Sequence, residues 1–543
     1  MDKQTLDGVQ YAKMILAGTE NLRAHAKDIN DLNVFPIPDG DTGDNMLLTI
    51  VGGARAAGEG EENLSATVRR IADGMLLSAR GNSGVILSQF FEGIAQGFDG
   101  VETAGNAEII KAFRCGVQSA YDAVMVPTEG TMLTVMRSAA ESLEESSDSD
   151  PETLFIDFLE EAQKTLDKTP DMLPVFKKAG VVDSGGAGLI CIIEGMLKGL
   201  RGEAVEPLGK EETEESGEID ISLFTEDSVL EFGYCTELLL RLQRAKTDID
   251  AFDVSALTDY LQSVGDSVAC VKNGSVVKIH VHTMTPHKVL EYCQQYGEFL
   301  KLKIENMSLQ HNNAEAQREE DDDLLPEKDI GIVVACSGSG IKELFAGIGA
   351  DIIVDGGQSN NPSTEDFLQA YRRVNAKTVF VFPNNSNIIL TARQAAAMYP
   401  QSDVRVIESR TVGDGYAALS MLDTYSSDAN VIEEALKEAM EGTVTAEISR
   451  SVRDTEDTAV GEYIGFVGKD ILASCADRME TVRKTFDSID LCDHEICILI
   501  HGSSVTPDEA AAAGAYFTSK NPGKEAYIVN GKQEIYDYIL ILE

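Results

Sequence analysis

Three kinds of structure are expected in succession. An all-α helical bundle should occupy residues 7–200, a small α/β module residues 223–311, and an α/β domain with a parallel sheet residues 329–543. Three observations lead there. Up to about residue 200, apolar residues recur every three or four positions with little period-two alternation, which is the helical pattern. Two acidic stretches of low hydrophobicity, 203–222 and 312–328, read as linkers between folded parts. Beyond Asp329, strand-like runs alternate with helical ones, as in a parallel sheet with crossover helices. The length of 543 residues fits this division, since roughly three domains are the prior at that size.

Within the helical part, the runs Val85–Phe98, Ala107–Val124, Met132–Leu143 and Leu154–Thr165 are amphipathic, and 144–151 (EESSDSDP) is an exposed turn between helices. The stretch most loaded with chemistry is Asn33–Met46, NVFPIPDGDTGDNM. Asp39, Asp41 and Asp44 fall within six residues, with Gly40 and Gly43 between them and Pro36 and Pro38 stiffening the approach. Such carboxylates repel one another unless a cation sits among them. Mg²⁺ suits them, because it takes hard oxygen ligands and shares its shell with phosphates. The apolar run after Met46 puts Asp44 and Asn45 at a helix N-terminus, where anions are favoured. A calcium loop of the EF-hand type is excluded, because loop positions six and twelve counted from Asp39 hold Asp44 and Ile50 instead of Gly and Glu. An acidic turn that caps a helix is the alternative.

Three further turns fall at helix starts: Arg80-Gly81-Asn82-Ser83-Gly84, Glu129-Gly130-Thr131-Met132, and Asp183-Ser184-Gly185-Gly186-Ala187-Gly188. Each offers small residues and free backbone N–H groups, as a phosphate or a base needs. Simple capping by Ser83 or Thr131 explains any one of them alone. A bundle, however, places alternate loops at one end, so four such loops can converge. No GxxxxGK[ST] run exists, which excludes a P-loop.

These residues resemble the nucleotide-binding subunit of dihydroxyacetone kinase, the DhaL domain, over nearly all of residues 7–200. The resemblance implies a DhaL-like helical barrel or bundle in which Asp39, Asp41 and Asp44 hold two Mg²⁺ ions under the phosphates of ATP. It further implies that Asn45, Ser83, Gly84, Thr131 and Met132 contact ATP, and that Asp183 with Gly185 closes over it.

In the second part, Ser228–Gly233 and Thr236–Leu242 read as strand or strand-to-helix, Asp250–Val264 as a helix, and Val268–Lys272 with Ser275–Val281 as a hairpin around Asn273-Gly274. Period two puts His280 and His282 on one face of their strand, and Cys235 lies upstream in GYCTE. Cys with two His suits Zn²⁺ with a fourth position open; two unrelated strand histidines and a buried cysteine are the alternative. His287 and Cys293 are read as structural. This part resembles the middle domain of the fatty acid kinase ATP-binding subunit, whose members carry a Cys/His/His cluster of this form.

The third part holds the strand-like runs GIVVAC, DIIVDGG, TVFVFP, VRVIES, ICILIHG and EAYIVNG and the helical runs IKELFAGI, TEDFLQAY and EAAAAGAYF. Ligands in such sheets bind beyond the carboxyl ends of the strands, where Ser337–Gly340, Gly356–Asn360 and Pro383–Asn385 lie. GSGIKE is not a dinucleotide fingerprint, since Glu343 stands where the third glycine belongs. Cys492, His494 and Cys497 are read as core or surface residues rather than a metal site. GGQSNNPSTEDF and FPNNSNIILTA resemble the carboxyl-terminal part of the same fatty acid kinase protein, itself similar to DegV-type lipid-binding proteins. Where relatives carry Pro-Gln-Gly after the Thr, this chain has Thr411-Val412-Gly413-Asp414-Gly415, which departs from the pattern in that loop.

The formal charge of −46 argues against nucleic acid, which is bound by basic patches, and against anionic membrane surfaces. No apolar run nears the ~20 residues of a membrane helix. The start, MDKQTLDGVQ, lacks a secretory signal, and nine scattered cysteines fit a reducing compartment, so a cytoplasmic location is expected. Together the resemblances imply an ATP-dependent kinase subunit. It would pass the γ-phosphoryl group to the carboxylate of a fatty acid held by a separate DegV-type fatty-acid-binding protein, giving an acyl phosphate. A homodimer is the expected assembly. Two rivals stand beside this reading: a dihydroxyacetone-type kinase acting on a small hydroxyl compound, and a non-catalytic lipid-binding or scaffold protein that senses nucleotide. The chain continues about 340 residues past residue 200, which argues against the first.

Overall fold

Helix-forming stretches, four of them with side-chain caps at their starts, build the first part of the chain. The computed structural model describes all residues except 1–4, 34–39, 59, 62, 147–149, 204–233, 250, 251, 253, 307–323, 358, 359, 423–427, 456 and 493. Asp39, both Pro36 and Pro38, the segment Ser228–Gly233 and the linker residues 204–222 and 312–323 lie outside the described residues. The chain divides into two compact units, one made of Met1–Lys210 with Leu325–Glu543 and one of Glu211–Leu324.

The helical part of the first unit runs α1 (Gly8–Asn30), α2 (Thr42–Ala57), α3 (Leu64–Ser78), α4 (Gly81–Gly97), α5 (Asn106–Asp122), α6 (Met132–Ser142), α7 (Pro151–Leu166), α8 (Thr169–Met172), α9 (Pro174–Ala179) and α10 (Ser184–Leu200). Asp7, Asn63, Asp150 and Asp183 cap α1, α3, α7 and α10 through their side chains, each satisfying a backbone N–H that the helix itself leaves free. One apolar core joins these helices. It includes a run of edge-on and tilted rings, Phe90, Phe91, Phe113, Phe155 and Phe158, with neighbouring centroids 4.8–6.0 Å apart. Burying each such side chain contributes about 1.5–3 kcal/mol. The helix α4 begins four residues before the expected Val85, so Ser83 and Gly84 sit in its first turn and Arg80, not Ser83, holds the N-cap position.

In the same unit the carboxyl-terminal part carries two sheets. β5 (Lys328–Cys336), β6 (Ile352–Asp355), β7 (Ala376–Phe382) and β8 (Asp403–Val406) pair in the order β6-β5-β7-β8, all parallel. Helices α13 (Ser339–Gly347), α14 (Thr364–Val374) and α15 (Ile389–Met398) make the crossovers. The expected parallel sheet is therefore present, but it takes only four of the runs read from the sequence. The other two belong to a second, mixed sheet of β9 (Val444–Arg450), β10 (Tyr463–Val467), β11 (Asp470–Cys475), β12 (Ile496–His501), β13 (Glu525–Asn530) and β14 (Tyr536–Leu542), in the order β11-β10-β9-β14-β12-β13. There ICILIHG and EAYIVNG pair parallel with each other, while every other pairing is antiparallel. Helices α16 (Val412–Ser420), α17 (Ala429–Glu441), α18 (Arg478–Ser488) and α19 (Pro507–Lys520) complete this part. The stretch after Thr411, expected as a loop, is the start of α16. Thr411 Oγ1 accepts from the Asp414 N–H and the Asp414 carboxylate accepts from the Thr411 N–H, a capping box.

The second unit is an antiparallel sheet of β1 (Tyr234–Leu242), β2 (Asp266–Asn273), β3 (Val276–Thr283) and β4 (Gly297–Asn306), in the order β2-β3-β1-β4, with α11 (Val254–Val264) and α12 (Pro286–Gln294). The hairpin expected around Asn273-Gly274 joins β2 to β3, with Gly274 at φ +58°. Thr236–Leu242 is strand throughout, and α11 begins at Val254, four residues later than read from the sequence. Strand β4 and helix α12 were not anticipated. His287 is exposed on α12 and Cys293 is buried in the unit's core.

Candidate functional site

Four helix N-termini meet at one cavity of about 190 Å³. It is lined by Asp41, Thr42 and Asn45 from α2, Asn82, Ser83 and Ile86 from α4, Thr131 and Met132 from α6, and Asp183, Ser184 and Gly185 from α10. Asn387 of the carboxyl-terminal part also lines it. The four loops singled out in the sequence thus converge, because the bundle puts the starts of these helices at one end. Gly84 does not line the cavity; it is buried against Thr49, where an added Cβ would collide with Oγ1. Asp44 is outside the cavity wall, and Asp39 lies outside the described residues.

The start of α2 is held from α1. Asn30 Oδ1 accepts from the Gly43 N–H (2.6 Å), and Asn30 Nδ2 donates to Asp44 Oδ2 (2.9 Å). This borrowed cap leaves the Asp41 carboxylate free of capping duty, although Asp41 occupies the N-cap position. Gly43 is needed for closeness, since a Cβ there would collide with the Ala26 carbonyl oxygen on α1. Thr42 and Ser184 hydroxyls both donate to Asn33 Oδ1 (2.8 and 3.1 Å), tying the start of α2 to that of α10. Arg137 grips Glu129 through two bonds of 2.7 Å and so holds the turn before α6; that pairing keeps the Glu129 carboxyl below its ordinary range.

Two acids in the cavity are held away from water. Burial, helped by the Asp44 charge, pushes the Asp41 carboxyl up to about 6 against bonds from Asn45 and Asn361. Burial likewise pushes Asp183 up to about 6, although it accepts from the Gly186 N–H at 2.7 Å. Asp183 is therefore both the cap of α10 and a wall of the cavity. The donor atoms are oxygens from carboxylate, hydroxyl and amide, the chemistry that Mg²⁺ selects, and the helix ends favour an anion beside them. Among the described residues, Asn82 Oδ1 and Asn361 Oδ1 are buried without a donor. Asp41 and Asp44 are the described carboxylates of the acidic stretch that could hold a metal; among the described residues no group of three His, Cys, Asp or Glu side chains is assembled for one.

Loops at the carboxyl ends of the parallel strands reach the helical part. The loop after β6 brings Asn361 to Asp41 Oδ2 at 2.5 Å and to Asn45 Oδ1 at 3.3 Å. Arg80 Nη1 donates to the Asn361 carbonyl (2.6 Å), and the Thr364 N–H donates to the Ala79 carbonyl (3.1 Å). On α15, Gln394 Nε2 donates to the Leu76 carbonyl (2.8 Å) and Gln394 Oε1 accepts from Gln89 (2.9 Å). A larger groove of about 490 Å³ lies between α4, α5 and α15, but Gln89, Gln96, Gln118 and Gln394 dominate its polar wall and no helix starts converge on it. Asn361, Asn30 and Arg137 were not singled out in the sequence. Only GGQSNNPSTEDF as a motif touched one of them.

In the second unit, backbone register sets Cys235 opposite His282, and Glu237 opposite His280. The side chains of Cys235, His280 and His282 lie outside the described residues. Cys492 is exposed, while His494 and Cys497 are buried.

Three family models match parts of the chain. Residues 36–198 match the DAK2 domain, so the first part is a helical domain of the kind named for dihydroxyacetone kinase. Residues 231–314 and 331–543 match the FakA-like middle and carboxyl-terminal domains of fatty acid kinase. Protein YloV of Bacillus subtilis is 38% identical over 562 residues, covering 100% of both chains, and an uncharacterized protein of Staphylococcus haemolyticus is 37% identical with 99% of each covered. The chain belongs to the FakA-like family of fatty acid kinase proteins. Two solved structures are similar to part of it. The fatty acid kinase B3 protein of Streptococcus pneumoniae loaded with linoleic acid covers 40% of this chain and 99% of its own, at 10% identity and a TM-score of 0.30. The fatty acid binding protein DegV from Bacillus subtilis covers 39% and 99%, at 14% and 0.31.

Proposed function

We propose that this chain is the ATP-binding, catalytic component of a fatty acid kinase. The observation that carries the reading is the cavity where four helix starts meet beside the half-buried Asp41 and the buried Asp183. A cation relieves the carboxylates and an anion satisfies the helix ends, and a magnesium-bound polyphosphate supplies both. At about 190 Å³ the cavity is below the ~300–1,000 Å³ of whole-ligand pockets, which suits the phosphate end of a nucleotide.

In this reading Asp41 and Asp44, with Asp39, hold Mg²⁺, and the backbone N–H groups at Ser83, Thr131 and Gly185 steady the phosphates, while the Gly84 N–H, spent on the Arg80 carbonyl, takes no part. Asn45 and Met132 bound the nucleotide, and Asp183 fixes the start of α10 over it. Magnesium held there would supply the positive charge that offsets the phosphates. The chain's residues align the γ-phosphorus with the fatty acid carboxylate. An oxygen of that carboxylate forms the new P–O bond, the bond to ADP breaks, and acyl phosphate and ADP leave. The acceptor is presented by a separate DegV-type fatty-acid-binding protein. The chain works in the cytoplasm as a homodimer, and light scattering on the purified protein tests the dimer.

The primary test titrates the purified chain with ATP at increasing Mg²⁺ and then follows ADP release with fatty acid and its carrier. Magnesium-dependent binding followed by turnover only with both is the expected result. Turnover with dihydroxyacetone in place of fatty acid would move the reading to a small-hydroxyl kinase, and binding without any turnover to a nucleotide sensor. A Zn²⁺ ion at Cys235, His280 and His282 belongs to the same proposal, supported by the register that sets Cys235 opposite His282. Metal analysis should find about one zinc per chain. Zinc retained after His280→Ala with His282→Ala would sink that site.

A further inference from the structure

We propose that Asn361, carried by the α/β part, is a positioning residue for the metal site of the helical part. The inference rests on the magnesium–nucleotide reading of the cavity. Asn361 is 320 residues from Asp41 in sequence, yet its Nδ2 reaches Asp41 Oδ2 at 2.5 Å and Asn45 Oδ1 at 3.3 Å. It is 2% exposed. The carboxylate dictates the amide's orientation, because the flipped amide would set oxygen against oxygen. That orientation strands the other end: among the described residues no donor reaches Asn361 Oδ1. A buried acceptor left unmet is a cost to the fold. The fold accepts that cost in order to aim a donor at Asp41.

The approach is built from both sides. Arg80 holds the Asn361 carbonyl, and Gly81 adopts φ +58°, where a Cβ would stand 2.5 Å from Asn45 Nδ2 and 3.2 Å from Asn361 Nδ2. Any side chain at Gly81 would therefore push the amide away from the acid. Carboxylates that ligate metals are oriented by outer hydrogen bonds, and losing such a partner typically weakens metal affinity by about 10–100-fold. Asn361 supplies that bond to Asp41 from another domain. Docking of the α/β part and loading of the metal therefore favour each other, by the reciprocity of coupled equilibria.

The test measures uptake of a non-hydrolysable ATP analogue by the full chain in calorimetry, as a function of Mg²⁺. Three variants are compared with the unaltered chain: Asn361→Ala, Asn361→Leu, which keeps the packing volume but deletes both polar atoms, and Gln394→Ala. Gln394 also bridges the two parts, through Leu76 and Gln89, but does not line the acid cavity. Both Asn361 variants are expected to need about tenfold more Mg²⁺ for half-saturation, while Gln394→Ala stays within about twofold. A purely structural role would lower the melting temperature of all three and leave the Mg²⁺ midpoint where it was. An unmoved midpoint in the folded Asn361 variants, or an equal shift in Gln394→Ala, overturns the proposal. No magnesium-dependent uptake by the unaltered chain overturns the nucleotide reading itself.

Discussion

Asp41 and Asp183 carry opposite demands from folding and binding. A carboxyl whose folded pKa is raised disfavours its charged form in the fold, so it subtracts stability above about 6 and returns it as pH falls toward the ordinary carboxylate value. The protein without nucleotide is therefore expected to melt higher at about pH 5 than at about pH 7.5, and part of that gain should vanish in Asp41→Asn. The same substitution should raise stability at neutral pH, on the order of 1–3 kcal/mol, because one pKa unit is worth about 1.4 kcal/mol. It should also abolish magnesium-dependent nucleotide uptake. Calorimetry and thermal melts check both, and a variant that still binds would remove Asp41 from the metal site. Asp183 adds a second job, the cap of α10. Asp183→Asn keeps an equally good cap, whereas Asp183→Ala loses it, so the Ala variant should be less stable than the Asn variant by about 1 kcal/mol in denaturant titrations. Asp41, Asn45 and Asp183, which line the cavity, could be picked out in the sequence because acids, glycines and helix starts are local patterns. Asn30, which actually caps α2, was not, since it sits one helix earlier and looks like any polar residue near a helix end.

At the scale of elements, the site is made by how closely helices approach. α1 and α2 touch at Gly43, with no room for a Cβ beside the Ala26 carbonyl. Gly43→Ala is expected to cost about 1–3 kcal/mol by overpacking, and to weaken nucleotide uptake by shifting Asp41 and Asp44 together. A lowered denaturant midpoint with unchanged uptake would show that α2 tolerates the shift. Helix periods were plain in the sequence for the first part, because each amphipathic helix buries one face in a single core. The second sheet of the α/β part was harder to see. Its last strand, Tyr536–Leu542, is buried along its whole length and shows no alternation, and β9 pairs with β14, far along the chain.

The whole molecule carries a formal charge of −46, which repels itself in the compact state. Raising salt from about 0.01 M to about 0.15 M shortens the screening length from about 30 Å to about 8 Å. The melting temperature of the nucleotide-free chain should rise over that range. A flat or falling response would mean that favourable ion pairs outweigh the general repulsion. Two parts that the sequence reads as separate, the helical domain and the α/β domain, lie in one compact unit. Carboxyl-end loops of the parallel sheet bring Asn361 and Asn387 against the helical cavity.

What the amino-acid order determined by itself was local: where helices start, which turns expose backbone N–H groups, and where acids alternate with glycines. Those features follow from the spacing of neighbours along one chain segment. Only the tertiary structure decided which acids are stripped of water, which asparagine caps α2, and that an amide from the α/β part rests on Asp41. Those outcomes depend on contacts between residues up to 320 positions apart, and nothing in a short window of sequence records them.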